Sequence, residues 1–257
     1  MNIFLLSLVD KSIGGAMVRL SQLPLQSSIV GLLHKQILSG LTEKVFDTYL
    51  NFFKSVKVIP AGFHYTRVTM SKSFSGLDFS SQYSNLVDKK LISLLKLPIE
   101  TSVVPVNLHV SQSDLLLWYS GLALLEDEDQ SAEFFLNQLS ISRVSIRYSP
   151  RNLHYLDQLF EGGQILESGS PRKLASDFGK NYNQFQSDCR NHFGDTFHQF
   201  QNKMKMLDVV CDVLFTSYSL KEIAYRNNFF NYNSMYILFR NKYEFPIDSI
   251  PRLLTEI

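Results

Sequence analysis

The chain has 257 residues, of which 45% are hydrophobic and 19% charged, a globular composition long enough for one large domain or two smaller ones. Its 25 lysine and arginine residues nearly balance 24 acidic residues, which excludes a strongly basic, histone-like nucleic-acid binder. The two cysteines, Cys189 and Cys211, are too few for a disulfide framework or a four-cysteine zinc site. We therefore expect no bound metal and a reducing, cytoplasmic location.

Residues 1–15 contain a short apolar run that no basic residue precedes and that an aspartate soon follows. A secretory signal has a basic start, and a membrane-spanning helix needs a longer apolar stretch. We expect neither, and so no membrane partner.

The pattern in the first third of the chain changes from a helical to a strand-like period. Apolar residues recur every three or four positions through 25–53, which predicts a helix with a break near Gly40. The segment 56–79 is rich in β-favouring residues and is interrupted by proline and glycine, which predicts two or three short strands.

The next segments continue this mixture of helix and strand. The period predicts a helix over 86–97 and a strand over 101–110. The acidic cluster at 126–129 is typical of a helix start, so a further helix is predicted from there through Leu139. The N-terminal region is therefore predicted to be α+β.

Sequence signals near residue 150 indicate a domain boundary. A Ser-Pro step at 149–150 favours the start of a helix, and a Gly-Gly pair at 162–163 favours its end. After this point no strand pattern appears, and short helices are separated by Gly, Asn or Pro. We predict a regulatory or interaction domain over 1–155 and an all-α domain over 165–257.

The helical region begins with a predicted helix-turn-helix. A short helix at 172–178 is followed by Gly179, which suits a tight turn, and by a second helix that ends at His192. The predicted interior positions are Leu174, Ala175, Phe178, Phe185, Cys189 and Phe193. The predicted outward positions are Asn181, Asn183, Gln184, Gln186, Ser187 and Arg190.

The same arrangement recurs after a predicted linking helix over 196–215. Ser219 and Glu222 form a capping box, and Asn228 takes the turn position because asparagine tolerates the left-handed conformation. The predicted buried stripe comprises Phe229, Met235, Leu238, Phe239 and Tyr243. We expect the linking helix to hold the two pairs of helices at a fixed separation.

These residues carry a resemblance to a known family. The stretch SLKEIAYRNNFFNYNSMYILFRNKYEF resembles the signature of the AraC/XylS family of transcription regulators, with its I-A-x-x-x-G-F step and a helix ending in F-K or F-R. The matching residues are Ile223, Ala224, Phe229, Phe239 and Arg240 in the second pair, and Leu174, Ala175, Gly179, Phe185 and Gly194 in the first. The F-x-x-x-C spacing of Phe185 and Cys189, with the ending PIDSIPRLLTEI, is similar to the InvF-like activators of type III secretion genes.

The chain departs from the family pattern at four positions. Asn228 and Glu244 stand where the family has glycine, Pro246 comes one position early, and Asp188 replaces an apolar residue. A buried carboxylate without a partner is costly, so Asp188 is expected to destabilise the first pair if it faces inward unpaired.

The resemblance implies a sequence-specific, DNA-binding transcription regulator, an activator of virulence or secretion genes. Amide and hydroxyl side chains are suited to reading base edges, and cations to holding phosphates. The base-readout candidates are Asn183, Gln186, Ser187, Asn231, Tyr232, Asn233 and Tyr236. The phosphate candidates are Arg190, Lys205, Arg240 and Lys242. The implied partners are promoter DNA and RNA polymerase, with a secretion chaperone and a second copy of the chain as further alternatives.

The charge of the C-terminal region keeps other functions open. Residues 165–257 contain 11 basic and 10 acidic side chains, a low balance for a DNA-binding domain. One alternative is therefore a protein-binding adaptor or anti-activator that kept the fold without base readout. Another is a regulator that responds to a sugar or a lipid.

Enzymatic activity is not predicted. The six histidines form no HExxH motif, and the chain has no GxGxxG, P-loop or GxSxG motif. We therefore assign no catalytic residue and no cofactor. Cys189 and Cys211 are predicted to be buried thiols, and His192 and His198 to be surface histidines.

Overall fold

The computed structural model describes residues 1–23, 32–75, 85–95, 102–126, 131–161 and 170–256. Two N-terminal helices precede a four-stranded antiparallel sheet, and a helical region follows. The N-terminal elements are α1 Ile3–Ser21, α2 Leu32–Ser55, β1 Tyr65–Ser75, α3 Leu86–Leu95, β2 Val103–Gln112, β3 Leu115–Glu126 and β4 Ser131–Ser142. Then come 3₁₀ turns at Arg143–Ser145 and Arg151–Leu153 and the helices α4 His154–Glu161, α5 Pro171–Asp177, α6 Tyr182–Phe193, α7 Phe197–Phe215, α8 Leu220–Arg226 and α9 Tyr232–Ile237. The chain closes with a 3₁₀ turn at Ile247–Ser249 and α10 Leu253–Glu256.

The sheet has the order β1-β4-β3-β2, with every neighbouring pair antiparallel. Strand β3, one of the two central strands, is buried over eight consecutive residues, from Leu117 to Leu124. Helices α1 and α2 cover one face, where the Phe46 ring lies 6.0 Å from the Trp118 ring. The short helix α3 covers the other face through Leu91 and its neighbours.

One continuous core joins the N-terminal helices to the helical C-terminal region. Residues of α1, α2, the inner sheet face and the helices beyond residue 170 belong to the same buried apolar cluster. The ring of Phe52 in α2 meets Phe245 edge-on, with 5.5 Å between centroids. The two regions therefore pack directly on each other, although the domain limits at 155 and 165 stay a prediction.

Several sequence predictions are confirmed. Helix α3, strand β2 and helix α4 lie where the patterns place them. Among the described residues beyond 170 there is no strand. Part of the predicted helix over 25–53, the loop at 127–130 and the Gly-Gly pair at 162–163 lie outside the described residues.

Three predictions about the N-terminal region are wrong. Helix α2 continues through Gly40 without a break, since one glycine costs a helix only about 1 kcal/mol. In the described part of 56–79 there is one strand, β1, and the apolar residues before it form a buried turn. The predicted helix from 126 through Leu139 is instead the end of β3 followed by β4.

The error at β4 has a physical cause. Ala132, Phe134 and Leu136 pack on the α3 side of the sheet, whereas Phe135 and Leu139 pack on the other side. A strand buried on both faces loses the alternation of polar and apolar residues, so its period does not distinguish it from a helix.

No helix among the described residues is long and apolar enough to cross a membrane.

Candidate nucleic-acid interface

The first pair of helices, α5 and α6, is set by its caps and its turn. The Ser170 side chain caps α5, and Asn181 caps α6 by accepting a hydrogen bond from the Gln184 backbone N–H at 2.8 Å. Between them, Gly179 has a φ of +64°, a left-handed conformation that favours glycine. The helices therefore begin and end close to the predicted positions.

The predicted interior of the first pair is confirmed with one exception. Five positions are buried, and the exception, Phe178, is half-buried. The buried positions are Leu174, Ala175, Phe185, Cys189 and Phe193. Burial raises the pKa of the Cys189 thiol to about 12, so this cysteine is a packing residue and a poor nucleophile at neutral pH.

The exposed side of this pair holds a shallow depression of about 600 Å³. It is lined by Arg172, Asn181, Tyr182, Asn183, Gln184 and Ser187. Two predicted readout residues, Asn183 and Ser187, are thus brought together, while Gln186 is half-buried and lies outside the lining. The Arg172 guanidinium lies 5.6 Å from the centre of the Tyr182 ring.

Sequence reasoning did not select Arg172 or Tyr182 as site residues. Arg172 is the second residue of α5, whereas the residues predicted for this pair lie on its second helix. The signal in the sequence was a cation in the first turn of α5, and in the structure it lines the same depression as the start of α6.

Buried polar contacts attach the inward face of α6 to α4. Asp188 is only 3% exposed, and its carboxylate accepts hydrogen bonds from the Tyr155 hydroxyl and the Gln184 side-chain amide, both at 2.7 Å. Asp188 therefore faces inward, and its carboxylate has two hydrogen-bond partners. It is not the unpaired buried carboxylate that would destabilise this pair. Burial and the bond to Asp188 raise the pKa of Tyr155 well above its usual range.

His192 is buried, so the prediction of a surface histidine is wrong. Its Nε2 lies 2.6 Å from the Asp157 carboxylate, and its backbone carbonyl accepts a hydrogen bond from the Asn2 side chain at 2.8 Å. The end of α6 is therefore attached both to α4 and to the start of α1. His198, on the next helix, is exposed as predicted.

The second pair, α8 and α9, also has capped helices and a left-handed turn residue, but its second helix is shorter than α6. The capping box of Ser219 and Glu222 is present, and Asn228 adopts a φ of +57°. Helix α9 continues as a π-helical turn over Leu238–Lys242, after which Glu244 has a φ of +53°. Asn228 and Glu244 are thus both left-handed, although neither is glycine.

The predicted buried stripe of the second pair is only partly correct. Met235 and Phe239 are buried, whereas Phe229, Leu238 and Tyr243 are half-buried. Phe229 lies before α9 and Tyr243 after its π-helical turn, so these two positions are not part of one helical stripe.

Aromatic and cationic side chains lie along α9 and the π-helical turn that continues it. The Tyr232 and Tyr236 rings lie 5.7 Å apart, and the Arg240 side chain donates a hydrogen bond to the Tyr236 hydroxyl. Lys242, also exposed, lies 5.3 Å from the Tyr243 ring.

The two asparagines at the start of α9 have different surroundings. The side-chain oxygen of Asn231 caps the helix by accepting from the Ser234 N–H, while Asn233 is exposed. Asn231 therefore has a structural task besides any contact with a ligand.

The linking helix α7 joins the pairs through two different junctions. At the first pair, the Lys203 ammonium, only 3% exposed, forms an ion pair with Asp195. At the second pair, Asp212 accepts a hydrogen bond from Asn227 at 2.8 Å and lies 3.9 Å from the exposed Arg226.

The phosphate candidates differ in exposure. Arg190, Arg240 and Lys242 are exposed, and Lys205 on the linking helix is half-buried. Cys211, predicted to be buried, is half-buried, and burial raises the pKa of its thiol.

Comparison of the chain with protein-family models, curated proteins and solved structures finds no match.

Proposed function

We propose that the protein is a sequence-specific DNA-binding transcription regulator of the AraC/XylS type, acting on promoters of virulence or secretion genes. The observation that supports this function is a repeated device. Two pairs of capped helices, each with a left-handed residue at its turn, flank one helix of 19 residues. Such a pair presents its second helix to the major groove.

Groups on both second helices have the chemistry needed for DNA. Asn183 and Ser187 are exposed and offer amide and hydroxyl groups for base edges. On the second pair, Asn233 is exposed and offers an amide, and the half-buried Tyr236 offers its hydroxyl. Arg190, Arg240 and Lys242 are exposed cations for phosphates. These residues make up the proposed reading surface.

The acidic groups keep the net charge of the region low. The Asp188 and Asp212 carboxylates bond to the neutral side chains of Tyr155 and Asn227, so they keep their charge, and Asp195 pairs with the cation Lys203. The electrostatic attraction for DNA is therefore modest, which favours help from polymerase, a chaperone or a second copy.

A salt titration of promoter binding tests the proposal. Arg240→Ala is expected to weaken binding to all sequences and to reduce the slope of log K against log salt by roughly one unit, since one phosphate contact is lost. Arg143→Ala is the matched control, because Arg143 is also exposed but lies in the turn after β4. The titration is run with and without a co-expressed secretion chaperone.

Base readout is tested separately. Asn183→Ala is expected to relax base preference in one half of the site and Asn233→Ala in the other, each by roughly 1 to 3 kcal/mol. Equal loss on specific and random DNA would mean that these residues contact only the backbone. Absence of specific binding at about 50 mM salt, with chaperone present, would contradict the proposed function.

One feature of the second pair favours the adaptor alternative. Phe230 is 88% exposed, and Tyr225 and Ile237 are each more than half exposed, an unusual amount of apolar surface for a DNA-facing unit. Phe230→Ser separates the two functions. An adaptor would lose binding to its protein partner, whereas a DNA reader would keep its promoter affinity.

A further inference from the structure

A cavity of about 610 Å³ lies where the sheet region meets the first pair of helices. Its walls come from the start of α1, the turn between α2 and β1, the segment 144–153 after β4, and Asn191 of helix α6. This volume is in the range of small-molecule sites, which often occur where two parts of a chain meet.

The charged side chain in the cavity lining is positive. It belongs to Arg147, which is exposed and forms part of the wall. No described lining residue carries a carboxylate. Arg147 has no ion-pair partner among the described side chains. Its guanidinium can therefore form a charged hydrogen bond with the anionic group of a ligand.

A neighbouring polar atom also lacks a partner. The hydroxyl of Ser149, two residues beyond Arg147, is buried and makes no hydrogen bond within the described structure. Buried polar atoms are normally satisfied, and Ser149 belongs to the same cavity lining as Arg147, where a hydroxyl can donate to an anionic oxygen.

The rest of the lining mixes polar side chains, among them Asn2 and Asn191, with an apolar set. Phe63 and Leu153 are buried at the inner wall, and Pro60 and Pro150 are also part of it. Val144, which is 90% exposed, lies at the rim. A ligand for this cavity would place an apolar body against these side chains and an anionic head at Arg147.

We propose that this cavity binds a small organic anion, a carboxylate or phosphate attached to a short apolar body, with Arg147 and Ser149 holding the anionic group. The ligand would also contact the element that reads DNA in the proposed function. Asn191 precedes His192, and the lining residue Asn2 donates to the His192 carbonyl at 2.8 Å. Occupancy of the cavity therefore changes the surroundings of the last turn of α6.

Isothermal titration calorimetry of the full chain with hexanoate, inorganic phosphate and hexan-1-ol tests the site. Hexanoate carries both the charge and the apolar body, phosphate only the charge, and hexanol only the body. We expect hexanoate to bind and hexanol to bind much more weakly. Binding of phosphate without hexanoate would overturn the proposed apolar body and would leave a site for the free anion alone.

Variants locate the anion. Arg147→Ala is expected to weaken binding of the anion roughly tenfold to a hundredfold, as for loss of a charged hydrogen bond, and Arg147→Lys to restore part of it. Arg151→Ala is the matched control, an exposed arginine four positions away that does not line the cavity. Equal binding by wild type and Arg147→Ala, hexanol binding as tightly as hexanoate, or no binding of either anion would overturn the proposal.

The coupling to α6 rests on the proposed function, whereas anion binding does not. Promoter affinity is therefore measured separately, with and without saturating anion, in wild type and Arg147→Ala. A change with anion in wild type alone supports the coupling. Anion binding with no effect on the promoter overturns the coupling and leaves the site intact, and absence of promoter binding with normal calorimetry contradicts only the proposed function.

Discussion

The two pairs of helices share a plan but differ in how they are held. Helix α6 has 12 regular residues and is attached from behind through Asp188 and His192 to α4. Helix α9 has six residues before it turns into a π-helix. Its pair is joined to α7 through the partly exposed Asp212.

This difference assigns the pairs different sensitivities. The first pair is reached by hydrogen bonds from Asn2 and from Tyr155 of α4. The end of the second pair meets the N-terminal region through the apolar contact of Phe52 with Phe245. We therefore expect substitutions at the two junctions with α7 to lower the free energy of unfolding by different amounts.

The largest effect is expected at the buried junction. Asp195→Ala leaves the Lys203 ammonium buried without its partner, which typically costs about 3 to 5 kcal/mol. The matched variant Asp212→Ala, at the more exposed junction, is expected to cost about 1 kcal/mol. Urea unfolding followed by circular dichroism measures both.

A third variant separates pairing from packing at the same place. Lys203→Met removes the charge and keeps the bulk, so its cost in the Asp195→Ala background should be small or favourable. Equal destabilisation by Asp195→Ala and Asp212→Ala would remove the proposed difference between the junctions.

The next effect concerns the contact between α4 and α6. Tyr155→Phe removes a hydrogen bond to the buried carboxylate of Asp188, so the free energy of unfolding should fall by about 1 to 3 kcal/mol. Tyr148→Phe is the control, because Tyr148 is 75% exposed. Unchanged stability of Tyr155→Phe would show that the Tyr155 hydroxyl does not contribute to the contact between α4 and α6.

The same variant has a defined pH dependence. Burial and the bond to Asp188 raise the pKa of Tyr155 in the folded state, so its contribution is complete below the unfolded value of about 10 and is lost as the pH rises further. The stability difference between wild type and Tyr155→Phe should therefore narrow above about pH 10. A difference that widens there would contradict the assigned hydrogen bond.

The C-terminal region was more predictable than the N-terminal one, for physical reasons. Helix caps and left-handed turns depend on local residue types. They can therefore be predicted from the sequence at Ser219, Asn228 and Gly179. Strands β3 and β4 are stabilised by burial on both faces, and neither shows a clear period.

The candidate sites show the same limit. The outward asparagines of α6 followed from helical spacing, whereas the buried environment of His192 depends on Asp157 and Asn2, which are distant in sequence. The cavity around Arg147 is formed by four separate segments. No local pattern predicts such an assembly.

A smaller effect is expected at the turn of the first pair. Gly179 has open space where a side chain would begin, but its φ is +64°. Gly179→Ala should therefore cost about 1 kcal/mol from backbone strain alone, and Gly179→Asn less, because asparagine tolerates this conformation. Thermal unfolding of both variants measures the order, and a larger cost for Asn would point to crowding instead of strain.

The smallest effect tests the end of the second pair and has the opposite sign. Glu244 adopts a φ of +53° without being glycine, a conformation that costs an ordinary residue about 1 to 2 kcal/mol. Glu244→Gly relieves this strain but gives the unfolded chain more freedom, worth about 0.5 to 1 kcal/mol, so a net gain of roughly 0.5 kcal/mol is expected. Asn228→Gly, at +57°, should gain less because asparagine is already suited to the position. A free energy of unfolding that is lower for Glu244→Gly than for Asn228→Gly would contradict this prediction. It would mean that the backbone at Glu244 is not strained.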